Sequence, residues 1–120
     1  MNYIMAVDDD PDILDALQFV LEDAGYTVKT SLKGEDAEKL TEKDLPSVLI
    51  LDVLLSGKDG REICQKLKKQ KETKKMPIIM ISAHPSAEQS IRKVGANAFL
   101  AKPFNINTLL EEVAKFVKPS

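Results

Sequence analysis

The sequence predicts an α/β fold, a doubly wound five-stranded parallel sheet with five helices. Short apolar runs and longer amphipathic stretches alternate five times along 120 residues, with no repeat and no low-complexity linker. The middle run, Ser47 to Leu51 (SVLIL), is apolar after its first residue, as a parallel strand covered on both faces should be. Such alternation implies right-handed crossovers, and five strands commonly take the order 2-1-3-4-5.

Tyr3 to Val7 (YIMAV) reads as the first strand. Ile13, Leu14, Leu17, Val20 and Leu21 then repeat at helical spacing, and Gly25 ends that helix. Asp10 before Pro11 supplies the N-cap, with proline at the first helical position. Thr27 to Ser31 is the second strand, Glu35 to Thr41 a short helix, and Ser47 to Leu51 the third strand. The third helix starts near Asp59 and buries Ile63, Cys64 and Leu67, which makes Cys64 a small core residue rather than a nucleophile. Pro77 to Ile81 (PIIMI) is the fourth strand, with proline tolerated at its first position. A helix around Ala87 to Val94, a fifth strand at Ala98 to Ala101 and a last helix from Ile106 to Val117 complete the pattern. The last helix carries Leu109, Leu110, Val113 and Phe116 on its apolar face.

Bulk properties narrow the classes of function. A chain of 13.3 kDa fits one domain, read here as residues 1–120. Tryptophan is absent and four Phe and two Tyr are the only aromatics, so the core must be aliphatic. No apolar run approaches a membrane span, and the opening MNYIMAVDDD lacks the basic start of a signal peptide. One cysteine makes no internal disulfide, which fits a cytoplasmic location. A net charge of -2 gives no global reason for direct nucleic acid binding or for binding an anionic membrane. The lysines at 66, 68, 69, 71, 74 and 75 read as a solvated helix end, since no aromatics interleave with them for stacking.

In a doubly wound sheet, ligands bind beyond the carboxyl ends of the strands. There the first strand ends in Asp8 and Asp9, the third in Asp52, the fourth in Ser82 and the fifth in Lys102. Three carboxylates brought together repel one another and must take up protons or a cation. Mg2+ suits them, because it takes oxygen ligands and keeps waters that a phosphate oxygen can displace. A metal and a lysine on one anion is a phosphoryl-transfer arrangement, to which Ser82 adds a hydroxyl. Asp52, at the end of the central strand, is the carboxylate placed to attack phosphorus and form an aspartyl phosphate.

Other uses of these acids fail on named residues. Capping of the first helix falls to Asp10, which leaves Asp8 and Asp9 without that role. Asp8, Asp10 and Asp12 have the first spacings of an EF-hand loop, but Ile13 and Phe19 stand where that loop needs Gly and Glu. An aspartate-nucleophile phosphatase of the haloacid dehalogenase type wants a second Asp where Leu54 stands. A flavin phosphate would be repelled by the aspartates after the first strand.

The sequence resembles the response-regulator receiver family over essentially its whole length. The matching segments are VDDDPDIL at 7–14, LILDV at 49–53, DG at 59–60, MISAH at 80–84 and AKPF at 101–104. The resemblance implies a flavodoxin-like fold in which Asp52 is the phosphoacceptor of a two-component system. It further implies Mg2+ held by Asp9, Asp52 and the backbone carbonyl of Leu54, with Asp8 acting through water. Ser82 takes the switch hydroxyl position, Lys102 pairs with the phosphoryl group, Phe99 is the switch aromatic, and Lys102-Pro103 is a cis peptide. Members often have Thr at Ser82, Tyr at Phe99 and Pro at Ser56. Phe99 therefore lacks a phenolic hydrogen bond, and Ser56 implies a less rigid loop after Asp52. Leu54 and His84 occupy positions that tune the lifetime of the phosphoryl group, and His84 flanks the site without being needed as a ligand.

The implied partners are a sensor histidine kinase or phosphotransfer protein, and an unknown downstream protein or attached output domain. The chain is expected as a monomer or a phosphorylation-dependent dimer. It is expected to be a signalling switch rather than an enzyme, although it promotes its own phosphorylation and dephosphorylation. A receiver-fold protein-binding module that works without phosphorylation is the alternative. Lys118-Pro119-Ser120 reads equally as an end or as the start of a linker.

Overall fold

A computed structural model describes residues 3–118; Met1, Asn2, Pro119 and Ser120, which the 1–120 domain reading and the linker question take in, lie outside the described residues. The chain runs β1 (Ile4–Val7), α1 (Pro11–Asp23), β2 (Val28–Ser31), α2 (Gly34–Glu38), β3 (Val48–Asp52), β4 (Leu54–Leu55) and β5 (Lys58–Asp59). It continues through α3 (Gly60–Lys69), β6 (Ile78–Ser82), α4 (Glu88–Lys93), β7 (Ala98–Ala101) and α5 (Ile106–Ala114), with a 3-10 turn over Pro85–Ala87. The sheet has order β2-β1-β3-β6-β7, every pairing parallel. This is the predicted 2-1-3-4-5 order once β4 and β5, a separate antiparallel ribbon, are set aside.

Side chains on a strand alternate between faces, and the core divides accordingly. Ile4, Ala6, Val48, Ile50, Ile79, Ile81, Ala98 and Leu100 pack with Leu14, Leu17 and Leu21 of α1 and Leu109 and Val113 of α5. Met5, Val7, Leu49, Leu51, Ile78 and Met80 pack with Ala37 of α2, Ile63, Cys64 and Leu67 of α3, and Ile91 of α4. Each face therefore owes its cover to the helical spacing of leucines and isoleucines on the crossovers. Among the described residues no helix is long and apolar enough to cross a membrane.

Local chemistry sets the helix ends. Asp10 caps α1 by accepting the Asp12 N–H at 2.9 Å, and Asp59 caps α3 by accepting the Arg61 N–H at 2.9 Å. Asn105 does the same for α5, accepting from Asn107 at 2.7 Å. Gly25 follows the end of α1 with φ 100°. The lysines of the 66–75 stretch are divided in use. Lys66 pairs with Glu38 at 3.3 Å, while Lys68 donates to the Met76 carbonyl and to Asn97 Oδ1, both at 2.7 Å. Lys69, Lys71, Lys74 and Lys75 are exposed.

Several boundaries differ from the expected ones. The second helix closes at Glu38 rather than Thr41, because Lys39 caps it and Leu40 bonds back to Ala37 in a 3.2 Å turn. The last helix ends at Ala114 rather than Val117. The chain stays on the same face through a turn, in which the Val117 N–H reaches the Val113 carbonyl at 3.1 Å, so Val117 is still buried. The third and fourth strands run on to include Asp52 and Ser82 themselves.

Candidate functional site

The parallel register brings the predicted residues to one end of the sheet. Val7 pairs with Leu51, so Asp8 leaves β1 level with Asp52, the last residue of β3. Ser82 closes β6 one step beyond Ile81, the partner of Asp52. Opposite Ser82 stands Ala101, and the Lys102 N–H donates to the Ser82 carbonyl at 2.8 Å. That bond fixes where the lysine leaves the sheet. The Lys102-Pro103 peptide is cis, as expected.

Asp8, Asp9 and Asp52 each offer a carboxylate oxygen, and these oxygens lie within 4.8 Å of one another. Their surroundings differ sharply. Asp8 is fully buried and uses both oxygens on the protein: Oδ1 accepts the Asp10 N–H at 3.0 Å and Oδ2 accepts Lys102 Nζ at 2.9 Å. Asp52 is 5% exposed and lies 3.2 Å from the same ammonium. Asp9 is exposed, and its Oδ2 accepts the Ser56 hydroxyl at 3.2 Å.

Burial, and then the charge of Asp8, push the Asp52 carboxyl up to about 6, with Lys102 pulling the other way and Asp9 adding a smaller push. For Lys102, burial works against the charged form, but its bonds to Asp8 and Asp52 outweigh burial and hold its pKa above the ordinary lysine value. Three carboxylates against one ammonium leave the cluster with an excess of negative charge, all on hard oxygen donors. This donor set fits Mg2+, which prefers a few carboxylates and completes its shell with water.

Ser82 is 2% exposed, and its hydroxyl oxygen accepts the His84 N–H at 3.0 Å. His84 itself is exposed and touches the site through that backbone bond. Phe99 is half-buried on β7, packed against the core that lies under α2, α3 and α4. Leu54, whose carbonyl the resemblance assigns to a metal, begins β4 two residues after Asp52 and turns its side chain to solvent.

Three features of the site escaped the sequence reading. The β4–β5 ribbon pairs Leu54 with Asp59 and Leu55 with Lys58, which leaves Ser56-Gly57 as a two-residue turn. Gly57 has φ 72°, a conformation that glycine adopts without strain. The Ser-Gly dipeptide was the available signal for a turn here. Next, Gly60 lies so close to the acidic pocket that a Cβ on it would sit 2.0 Å from the Asp52 carbonyl oxygen. Finally, Arg61 binds Asp59 and reaches Ser90 Oγ on α4 at 3.1 Å, linking the start of α3 to α4.

Comparison with known proteins agrees with this geometry. A family model described as the response regulator receiver domain matches residues 4–114. Among solved structures, chemotaxis protein CheY4 of Vibrio cholerae is 34% identical, with a TM-score of 0.86 over 98% of this chain and 99% of that one. Response regulator TrrA of Thermotoga maritima, solved in complex with Mg(2+)-BeF, is 31% identical, with a TM-score of 0.87 over 98% of this chain and all of that one (100%). A protein of Chloroflexus aurantiacus, assigned as a response regulator, is 36% identical with a TM-score of 0.88 over 97% and 98% of the two chains.

Proposed function

The chain belongs to the response-regulator receiver family, and from that membership we propose that it is a phosphorylation switch whose phosphoacceptor is Asp52. The observation that carries this reading is the triad of Asp52, Asp8 and Lys102, in which one ammonium lies between two buried carboxylates at 2.9 and 3.2 Å. Receiver domains take phosphoryl groups from histidine kinases, so the donor proposed here is a phosphohistidine on a kinase or phosphotransfer protein.

In the transfer, an ionised Asp52 oxygen forms a bond to phosphorus as the phosphorus–nitrogen bond of the donor breaks. With its pKa at about 6, Asp52 is mostly ionised at neutral pH and ready to attack. Lys102 holds an ammonium beside the transferred group, where negative charge accumulates on the phosphoryl oxygens. Asp9, Asp52 and the Leu54 carbonyl would hold Mg2+. Asp8 has both oxygens occupied by Asp10 and Lys102, which suits a role through an intervening water. When bound, Mg2+ supplies charge neutralisation for the incoming phosphoryl group.

The phosphoryl group adds about -1.5 to -2 of charge. The proposed response is that Ser82, whose hydroxyl oxygen accepts the His84 N–H, turns that hydroxyl toward the phosphoryl group. In this reading the movement frees space for Phe99 to rotate inward, which changes the face formed by α4, β7 and α5. A downstream protein, or an attached output domain, reads that face. The work is signalling in the cytoplasm, and the chain acts on no substrate other than its own phosphoryl group.

Treatment with acetyl phosphate and Mg2+ is expected to retard the wild type on a Phos-tag gel, and to leave Asp52→Ala unmodified. No modification of the wild type, or equal modification of Asp52→Ala, would overturn the switch and favour a binding module that works without phosphorylation.

A further inference from the structure

We propose that Ser56 is a positioning residue that holds the Asp9 carboxylate ready for the divalent cation, an inference that rests on the metal reading above. Asp9 is the one member of the acidic cluster exposed to solvent. Asp8 and Asp52 are locked by burial and by Lys102. An exposed aspartate at the end of a strand ordinarily samples several rotamers, and a hard cation gains most from ligands already in place. The Ser56 hydroxyl supplies the missing restraint by donating to Asp9 Oδ2 at 3.2 Å, across 47 positions of sequence. A carboxylate accepts more hydrogen bonds than this one, so Asp9 keeps lone pairs for a cation.

The restraint works because Ser56 is itself held. It occupies the first central position of the two-residue turn that joins β4 to β5, and Gly57 at φ 72° closes that turn. The base of the ribbon is closed by the Gly60 N–H, which donates to the Val53 carbonyl at 2.7 Å. Lys58 of the ribbon forms an ion pair with Glu38 of α2. The segment after Asp52 is thus a short ribbon held by these contacts. Serine there brings a donor that proline could not. Groups outside the direct ligands commonly set metal affinity in this way.

The test is Mg2+ titration of wild type, Ser56→Ala and Ser56→Thr by calorimetry, beside thermal unfolding of each in EDTA. The expected result is roughly a tenfold weaker Mg2+ affinity in Ser56→Ala, with unchanged unfolding in EDTA. Ser56→Thr, which keeps the hydroxyl, is expected to bind as wild type does. Equal affinity in Ser56→Ala and wild type would overturn the proposal. So would weaker binding in both variants together with a lower unfolding temperature in EDTA, since that outcome marks a role in the ribbon alone. Wild-type protein that binds no Mg2+ would instead remove the metal reading, and this inference with it, a result distinguishable from the first two.

Discussion

Asp52 ionises at a cost that is measurable when no cation is present. Its carboxyl titrates at about 6 in the folded protein against an ordinary value of 3.8. For an acid with a raised folded pKa, the folded state keeps its proton while the unfolded chain has already released it. The stabilisation is therefore full below about pH 4, falls as pH rises, and is gone above about pH 6, a change of roughly 3 kcal/mol. Asp52→Asn removes the charge and its dependence on pH. Urea unfolding in EDTA is expected to show Asp52→Asn more stable than wild type at pH 7 by about 2–3 kcal/mol, with the gap closing near pH 4. A constant gap across that range would place the effect outside the ionisation of Asp52. At this scale the sequence was informative wherever a residue stands directly after an apolar strand, as Asp8, Asp9, Asp52 and Lys102 do or nearly do. Ser56 was less legible. Its neighbour across the site is 47 positions away, and only a turn too short to show periodicity brings the two together.

The elements around the site were mostly legible, and the misses share a cause. Strands and helices of several turns declare themselves by period, whereas β4 and β5 have two residues each and no alternation to detect. The DG pair at 59–60 was recognised as a motif, but its physical reason lies in packing. Asp59 caps α3, and Gly60 lets the start of that helix press against the backbone of Asp52. A Cβ at Gly60 would meet the Asp52 carbonyl oxygen at 2.0 Å, its carbon at 3.0 Å and Met80 Cε at 3.2 Å. A Cβ at Gly34 would instead meet two side-chain ends, Ile63 Cδ1 at 2.6 Å and Leu55 Cδ1 at 3.0 Å, which can move aside. Gly60→Ala is therefore expected to lose about 3 kcal/mol or more in urea unfolding, and Gly34→Ala distinctly less. Equal effects would mean that backbone contact at Gly60 does not set the position of α3. That helix start also carries Arg61, whose bond to Ser90 ties α4 to the start of α3.

At the scale of the whole molecule, one sheet with two apolar faces fixes the arrangement, and the site follows from where four strands stop. The strand order was deducible because α/β alternation leaves few topologies, and β1, β3, β6 and β7 are neighbours in the sheet found. Less legible was how a partner would read the site, since Phe99 is half-buried and the rotation proposed for it would be a difference between two states. The chemistry proposed for the site is narrower than that readout: Asp52 carries the phosphoryl group. Borohydride reduces an acyl phosphate to an alcohol, so phosphorylation with acetyl phosphate and Mg2+, then reduction and peptide mass spectrometry, locates the modified residue directly. A single reduced side chain is expected, at Asp52, absent when EDTA replaces Mg2+. Reduction at Asp8 or Asp9, or none in the presence of Mg2+, would contradict it.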